Sequence, residues 1–265
     1  MKLNYKRILS DSWEKFKKNL ILVIPSIIGV AITIGIFFVT GLIFMLMGIS
    51  SEQIVSYDLL TTKNIVVLSL MIVFVFICMF LLNSFIRAME LGMMKDVASK
   101  GKTDINKMFS YGKEYFLKYL LTSLIVVLFV LPALVILILF SLIPVVGTPI
   151  GAFIAGVYLI VLFLYLFFVG PVIVSKEGTP LEMIKLSFDY SKRNMKHVLV
   201  TFGVSLVAML IIMLPFVIIE SLLTLGESYL IAFLLSIVVF ARNIVNVLLS
   251  LVIRLFEFKA YLAKK

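Results

Sequence analysis

The sequence predicts an all-α integral membrane protein with six transmembrane helices, and three observations support this prediction. First, 63% of the 265 residues are hydrophobic and only 14% are charged, whereas soluble domains carry about 25% charged residues. Second, the mean hydropathy is +1.20, so the chain has more apolar surface than a water-soluble core of this size can bury. Third, the sequence contains six separate apolar stretches of spanning length. Lipid is therefore the expected solvent of most of the chain.

The six apolar stretches each reach the roughly 20 residues that a helix needs to cross a hydrocarbon core of about 30 Å. Backbone groups find no water there, so each stretch must satisfy its own hydrogen bonds as a helix. The alternation of polar and apolar residues that a transmembrane barrel requires is absent. The predicted spans are residues 20–48, 65–86, 119–143, 150–174, 198–224 and 229–253.

The basic residues predict the orientation of the spans. Of the 24 lysines and arginines, 22 lie in four segments on one membrane face, and the opposite connections hold only Lys63. By the positive-inside rule both termini face the cytoplasm, and we expect a multi-pass protein of the cell (plasma) membrane. Nucleic-acid binding is disfavoured, because ten acidic residues are interspersed with these cations. The four segments are residues 1–19, 87–118, 175–197 and 254–265.

An eight-residue pattern occurs twice, each time immediately before an apolar stretch. Both copies read serine, aromatic, acid, two variable residues, two basic residues and asparagine. Apolar side chains recur three and four apart around each copy, which predicts an amphipathic helix lying in the membrane interface. The basic pair ends the helix where cations complement its dipole, and the asparagine is expected to adopt the left-handed conformation that turns the chain into the bilayer. The copies are Ser12-Trp13-Glu14-Lys15-Phe16-Lys17-Lys18-Asn19 and Ser187-Phe188-Asp189-Tyr190-Ser191-Lys192-Arg193-Asn194.

The basic pairs are the predicted contacts with phospholipid headgroups, together with two arginines at the exits of even-numbered spans. Each of these arginines begins an Arg-x-x-Glu sequence, and residues three apart share a helix face and can pair. The predicted headgroup contacts are Lys17, Lys18, Lys192, Arg193, Arg87 and Arg254, and the two pairs are Arg87 with Glu90 and Arg254 with Glu257.

A third, degraded version of the pattern begins at Ser110-Tyr111, where apolar residues from Ile105 to Leu120 recur at helical spacing. We therefore predict a single domain, residues 1–265, built from three parallel repeats of an interfacial amphipathic helix plus a two-helix hairpin. The repeat units cover about residues 3–95, 103–177 and 180–262.

One short stretch resembles known polytopic families of unknown function. It resembles the YciC-like family and the membrane domain found beside some glycerophosphodiester phosphodiesterases, where a Pro-x-Ile-Val-x-Glu strip precedes an amphipathic Ser-Trp helix. The resemblance covers about residues 165–200 and implies a membrane-embedded accessory or sensing domain; it implies no hydrolase, because the soluble phosphodiesterase barrel is missing. The matching residues are Pro171-Val172-Ile173-Val174-Ser175-Lys176-Glu177, Ser187-Phe188 and Lys192-Arg193-Asn194.

A few polar residues lie inside the predicted spans. Arg242 is near the bilayer centre, where an arginine costs about 2.5–3.5 kcal/mol on insertion scales, and Asn243 and Asn246 lie close to it. These residues are interpreted either as a substrate or anion site or as a hydrogen-bonding node between helices. Glu220 lies near the outer end of the fifth span. In a simple hairpin Arg242 sits about 15 Å deeper, so we expect no direct ion pair between them.

No enzyme class is indicated. The chain has no Walker lysine loop, GxSxG elbow or HExxH sequence. With one histidine and one cysteine, no metal or other cofactor is expected. His197, at the start of the fifth span, is interpreted as a headgroup contact.

The favoured function is a non-enzymatic scaffold, lipid-interacting or accessory module in the membrane. Its expected partners are membrane phospholipids, and a homo-oligomer or a membrane-protein partner is left open. The alternative is a small transporter or lipid-translocating protein whose polar path passes Arg242.

Overall fold

The computed structural model describes residues 3–46, 62–144, 146–224 and 229–264, and every regular element in these ranges is helical. Two short 3-10 turns, Leu20–Val23 and Ile105–Lys107, lead into long helices. The helices are α1 (Tyr5–Lys18), α2 (Ile24–Leu46), α3 (Thr62–Lys100), α4 (Met108–Ser141), α5 (Gly147–Leu166), α6 (Val169–Ser175), α7 (Pro180–Arg193), α8 (Met195–Leu223) and α9 (Tyr229–Lys264).

Six segments are long and apolar enough to cross a membrane, which confirms the predicted all-α class. Several are longer than a span requires: α3 has 39 residues and α9 has 36. At a rise of about 1.5 Å per residue α3 is roughly 58 Å long, against a hydrocarbon core of about 30 Å. The second, third and sixth predicted spans therefore continue, without a break, into helical extensions on the basic side of the bundle.

The packed core lies in these extensions. Large side chains such as Met93, Phe168 and Leu255 are fully buried there, whereas Phe74 and Phe240, in the remainder of the long helices, are exposed. Apolar side chains on the outside of a span are what a lipid solvent allows. We call the packed region the base. It comprises α1, α7 and residues 84–100, 108–122, 168–175 (which include α6), 195–205 and 249–264.

The two complete copies of the eight-residue pattern form discrete helices of 14 residues, α1 and α7. The prediction of left-handed asparagines is wrong, since φ is −132° at Asn19 and −123° at Asn194. Instead, each side-chain amide donates to the carbonyl four residues earlier, at 2.8 Å for Asn19 and 3.1 Å for Asn194. At Asn19 the amide replaces the backbone N–H, which bonds Phe16 instead, as the donor to the Lys15 carbonyl. At Asn194 the amide adds a second donor to the Tyr190 carbonyl, which also accepts the backbone N–H. Neither helix end therefore uses a left-handed residue.

The degraded third copy does not form a separate interfacial helix, which corrects the prediction for the second unit. After the 3-10 turn, α4 runs without interruption from Met108 to Ser141. Ser110 is exposed, whereas Ser12 and Ser187 are fully buried. The physical reason is local: Leu117 stands where the other copies have asparagine, so no side chain caps a helix end there.

The predicted fourth span divides into α5 and the seven-residue α6. Pro171 has no N–H to donate to the carbonyl of Phe167, and the helix breaks at residues 167–168. The break brings Phe168 into the base, where its ring stacks on His197 with centroids 5.8 Å apart. The residues of the family resemblance thus form a buried element of the base, since Val172, Ile173 and Val174 are all buried.

Gly92 is the point of close approach between α3 and α4. A Cβ atom built there would lie 2.5 Å from the Cβ and Cγ atoms of Tyr111. We expect Gly92→Ala to destabilise the protein by about 1–3 kcal/mol, the usual cost of overpacking, because the Tyr111 atoms in the way are fixed to the α4 backbone. Thermal unfolding of the purified protein in detergent, followed by circular dichroism, measures the change.

The matched control for this prediction is Gly203→Ala in α8, where a new Cβ meets nothing within 4 Å. We expect no loss of stability in this variant. Equal melting temperatures for the two variants would contradict the α3–α4 packing.

Candidate functional site

Glu90 is a buried carboxylate at which three helices meet. Its side chain is in α3 and the residue is only 2% exposed. Oε2 accepts hydrogen bonds from Nη1 of Arg87 at 2.8 Å and from Nη1 of Arg254 in α9 at 2.5 Å. Oε1 accepts from the Ser26 hydroxyl of α2 at 2.6 Å. These charge-assisted bonds are stronger than neutral ones and connect both ends of the chain.

The two Arg-x-x-Glu sequences behave differently. In the first, Arg87 pairs with Glu90 as predicted. In the second, Arg254 pairs with Glu90 rather than with Glu257, so the prediction of a local pair is wrong. Glu257 instead accepts a hydrogen bond from Ser205 of α8 at 3.4 Å. Arg254 thus joins a carboxylate that Arg87 and Ser26 already bond, and the packing of α9 against α3 decides which glutamate it reaches.

A cavity of about 340 Å³ lies beside this cluster. Arg87, Arg254, Glu90 and Glu257 contribute its charged wall, and aromatic rings such as Phe167 contribute an apolar wall. A cavity with apolar walls and a few convergent polar groups is the usual form of a small-molecule site.

A second cavity, of about 420 Å³, adjoins the first. The two share Arg87, Tyr119 and Val169. The second also has polar side chains from α3 and α4, namely Asn83, Ser84, Thr122 and Ser123. We call this pair of adjoining cavities the cleft; its charged end is at Glu90 in the first cavity, and the second extends along α3 and α4.

Sequence reasoning did not assign this site. It identified Arg87 and Arg254 as headgroup contacts, but it gave Glu90 and Glu257 no more than local pairing roles and did not single out Tyr119. The available signal was the repeated Arg-x-x-Glu sequence itself, which places two pairs of opposite charges at equivalent span exits. The choice of glutamate by each arginine depends on how α3 packs against α9, and the local spacing of residues does not predict that packing.

The structure separates the six predicted headgroup contacts into two groups. The lysines and arginines at the ends of α1 and α7 (Lys17, Lys18, Lys192 and Arg193) are all exposed. Arg87 and Arg254 are partly covered, with 39% and 27% of their side chains exposed, and both are bonded to Glu90. The first group is free to meet a membrane surface, whereas the second belongs to the cleft.

Arg242 and Glu220 form an ion pair at 2.5 Å, contrary to the expectation that they lie too far apart. The estimate of about 15 Å compared only their heights along the backbone. Helical side chains lean toward the N-terminus of their own helix. Because α8 and α9 are antiparallel, Glu220 leans toward the base and Arg242 leans away from it. The two side chains lean toward each other, so their charged ends lie much closer together than their backbone positions.

The rest of the predicted intramembrane polar site does not join this pair. Asn243 and Asn246 are exposed on the surface of α9, while Arg242 and Glu220 are partly buried between α8 and α9. The ion pair fits the interpretation of Arg242 as an interhelical node, with the Glu220 carboxylate as its partner.

His197 is 5% exposed, so its interpretation as a headgroup contact is wrong. Its Nε2 lies 3.1 Å from the carbonyl of Ala260 and its Nδ1 lies 2.7 Å from the Tyr5 hydroxyl. A neutral ring with its proton on Nε2 satisfies both contacts, with the tyrosine donating to Nδ1. Burial raises the pKa of the Tyr5 phenol, which keeps that donor protonated. His197 therefore joins α1, α8 and α9 in the base.

Comparison with protein-family models, with curated proteins and with solved structures finds no match for this chain. The resemblance to the YciC-like and phosphodiesterase-associated membrane families stays a prediction.

We expect Glu90→Gln to be among the most destabilising conservative changes in the protein. Removing the charge leaves Arg87 and Arg254 facing each other without their shared counter-ion, and breaking a buried pair in this way costs about 3 kcal/mol. Thermal unfolding in detergent should show a large fall in melting temperature.

Glu14→Gln is the matched control for this change, because Glu14 is exposed in α1. A surface substitution of this kind changes stability by no more than about 0.5 kcal/mol. If Glu90→Gln unfolds at the same temperature as Glu14→Gln, Glu90 does not hold the three helices together.

Proposed function

We propose that this protein is a non-enzymatic, lipid-interacting module of the cell membrane, with its base and both termini on the cytoplasmic side. Six helices able to span a membrane support the membrane setting. The observation that supports the lipid interaction is the pair of helices α1 and α7, each fixed to the base and each ending in two exposed cations.

Helix α1 is held in the base by its buried side. Ser12 and Phe16 are buried, the Tyr5 hydroxyl bonds His197, and Asp11 forms an ion pair with Lys259 of α9. Lys17 and Lys18 project from the end of this fixed helix and are exposed. Their position immediately before the first span supports a location at the level of lipid headgroups.

Helix α7 repeats the arrangement with different partners. The Ser187 and Ser191 hydroxyls both donate to the carbonyl of Tyr165, at 3.0 and 3.1 Å. The Phe188 ring stacks on Tyr165 with centroids 5.0 Å apart. Lys192 and Arg193 are exposed at the helix end, next to the fifth span. Each basic residue near an anionic leaflet contributes about 1 kcal/mol, so the four cations form a substantial anchor.

This function agrees with the accessory or sensing role that the family resemblance implies. A base that packs tightly while presenting fixed cations to one leaflet can respond to the charge of that leaflet. A second copy of the chain or another membrane protein is the natural partner for the exposed Asn243 and Asn246, because amides in a span form interhelical hydrogen bonds.

A second candidate function is transport or lipid translocation along α9. The observation in its favour is the exposure of Asn243 and Asn246 close to the partly exposed Arg242, which places three polar side chains on one stretch of a span. Polar side chains on a span surface often line a water-filled path.

We expect neutralisation of the four helix-end cations to weaken binding of anionic phospholipid by at least about tenfold, since each contributes about 1 kcal/mol. The variant changes Lys17, Lys18, Lys192 and Arg193 to Gln. Native mass spectrometry of the purified protein with added phosphatidylglycerol measures the binding.

The control variant removes the same number of positive charges from other exposed positions, namely Lys6, Arg7, Lys102 and Lys107. If both variants lose lipid equally, net charge and not the placement of the helix ends determines the interaction. If neither loses lipid, the proposed function is wrong.

The second candidate predicts that water reaches Arg242 and Asn246. After replacement of the single cysteine, Cys78, a cysteine is placed at position 242 or 246 and treated with a membrane-impermeant thiol reagent. Transport predicts labelling at both positions. A cysteine at Lys192 serves as the accessible control and one at Leu128, an exposed apolar position of α4, as the lipid-facing control. Labelling at neither test position would exclude the transport candidate.

A further inference from the structure

The cavity beside Glu90 has unused hydrogen-bond donors. Each guanidinium has five N–H groups in a rigid fork, and Arg87 and Arg254 each place Nη1 on Glu90. Both side chains remain partly exposed and line the cavity. The remaining N–H groups can therefore bind an anion with the planar geometry that arginine offers to phosphate.

The same cavity also has a carboxylate available for a cation. Glu257 lines it and is half-buried. Its hydrogen bond is with Ser205, and no ion pair in the described part of the chain involves it. A carboxylate withdrawn from water is costly without a counter-charge, and a bound cation would supply one. Glu90, by contrast, is occupied by its three donors.

The apolar side of the cleft leads toward the hydrocarbon. The second cavity shares Arg87 and Tyr119 with the first, and its walls include Phe80, Val126 and Val127. Phe80 is ten residues before Glu90 in α3, roughly 15 Å deeper along the helix. A molecule with its polar end at Arg87 thus has an apolar groove for the part that enters the membrane.

We propose that this cleft binds one phospholipid whose headgroup carries a phosphate and a primary ammonium. The phosphate lies between Arg87 and Arg254, the ammonium binds Glu257, and an acyl chain follows α3 and α4. This proposal depends on the proposed function in one respect only, namely that the chain lies in a lipid membrane. It differs from the helix-end cations in position and in the charge that it selects.

The charges of the cleft explain why such a headgroup is preferred. An anionic head without an amine meets the arginines but also the Glu257 carboxylate, which repels it. A choline head has the positive charge but no N–H to donate to the carboxylate. A primary ammonium supplies both charge and donors, and a hydrogen bond of this kind contributes about 1.5–3 kcal/mol.

The test compares phosphatidylethanolamine, phosphatidylcholine and phosphatidylglycerol with matched acyl chains, each titrated against the detergent-solubilised full chain and quantified by native mass spectrometry. We expect phosphatidylethanolamine to bind about tenfold more tightly than phosphatidylcholine in the unmodified chain. In the variant without the four helix-end cations, which removes the other site for phosphatidylglycerol, it should bind about tenfold more tightly than either of the other two lipids. In Glu257→Gln this preference should disappear, because the amide keeps the size of the side chain and an acceptor for Ser205 but loses the charge.

Glu14→Gln, which removes an exposed carboxylate, should keep the preference, as should the variant without the four helix-end cations. The latter separates this site from the proposed function, because it should lose phosphatidylglycerol while retaining phosphatidylethanolamine. An unchanged preference in Glu257→Gln would overturn the proposal. Soluble phosphoethanolamine that binds as tightly as the lipid would overturn the assignment to a phospholipid.

Discussion

The fold depends on the need to satisfy one buried carboxylate. Glu90 is 2% exposed, and an uncompensated charge at such a position costs several kcal/mol. Three donors from α2, α3 and α9 offset that cost, and the bond from Arg254 spans 164 residues of sequence. The carboxylate receives all three hydrogen bonds only when α2, α3 and α9 are correctly placed. This one side chain therefore fixes the position of the first hairpin relative to the last helix. The rigid fork of each guanidinium restricts the approach further.

Around that junction the molecule divides into two regions with different solvents. In the base, side chains pack on one another, as the burial of Met93, Phe168 and Leu255 shows. In the rest of the long helices large apolar residues face outward, and lipid takes the place of protein. Association of helices in lipid has little hydrophobic driving force, so the three hairpins rely on the base to stay together. The polar cleft therefore lies in the most tightly packed part of the molecule, where a bound headgroup can contact several helices at once.

Hydropathy and charge are sufficient to predict the six spans, because the bilayer imposes the same backbone requirement on each of them. Hydropathy and charge also predict the positions of α1 and α7, but they do not predict how those helices end. The asparagine at each end donates its side-chain amide to the carbonyl one turn earlier. Contacts between distant helices are harder to predict. The pairing of Arg242 with Glu220 depends on which way two side chains lean, and that of Arg254 with Glu90 depends on which helices become neighbours. Periodicity shows which side of a helix is apolar, but it does not identify the helix that will cover that side.

The Arg-x-x-Glu sequences show how a repeated pattern can produce two different roles. If each arginine paired with its own glutamate, both pairs would be complete and the cleft would offer a ligand little charge. Instead both arginines bond to Glu90, and Glu257 remains with a hydroxyl partner. The first glutamate thereby stabilises the junction of three helices, while the second stays on the cavity wall. The arginines join the two roles, since each bonds the structural carboxylate with one nitrogen and presents its remaining N–H groups to the cleft. A ligand that engages those groups would therefore be coupled directly to the contact that holds the first and last helices together.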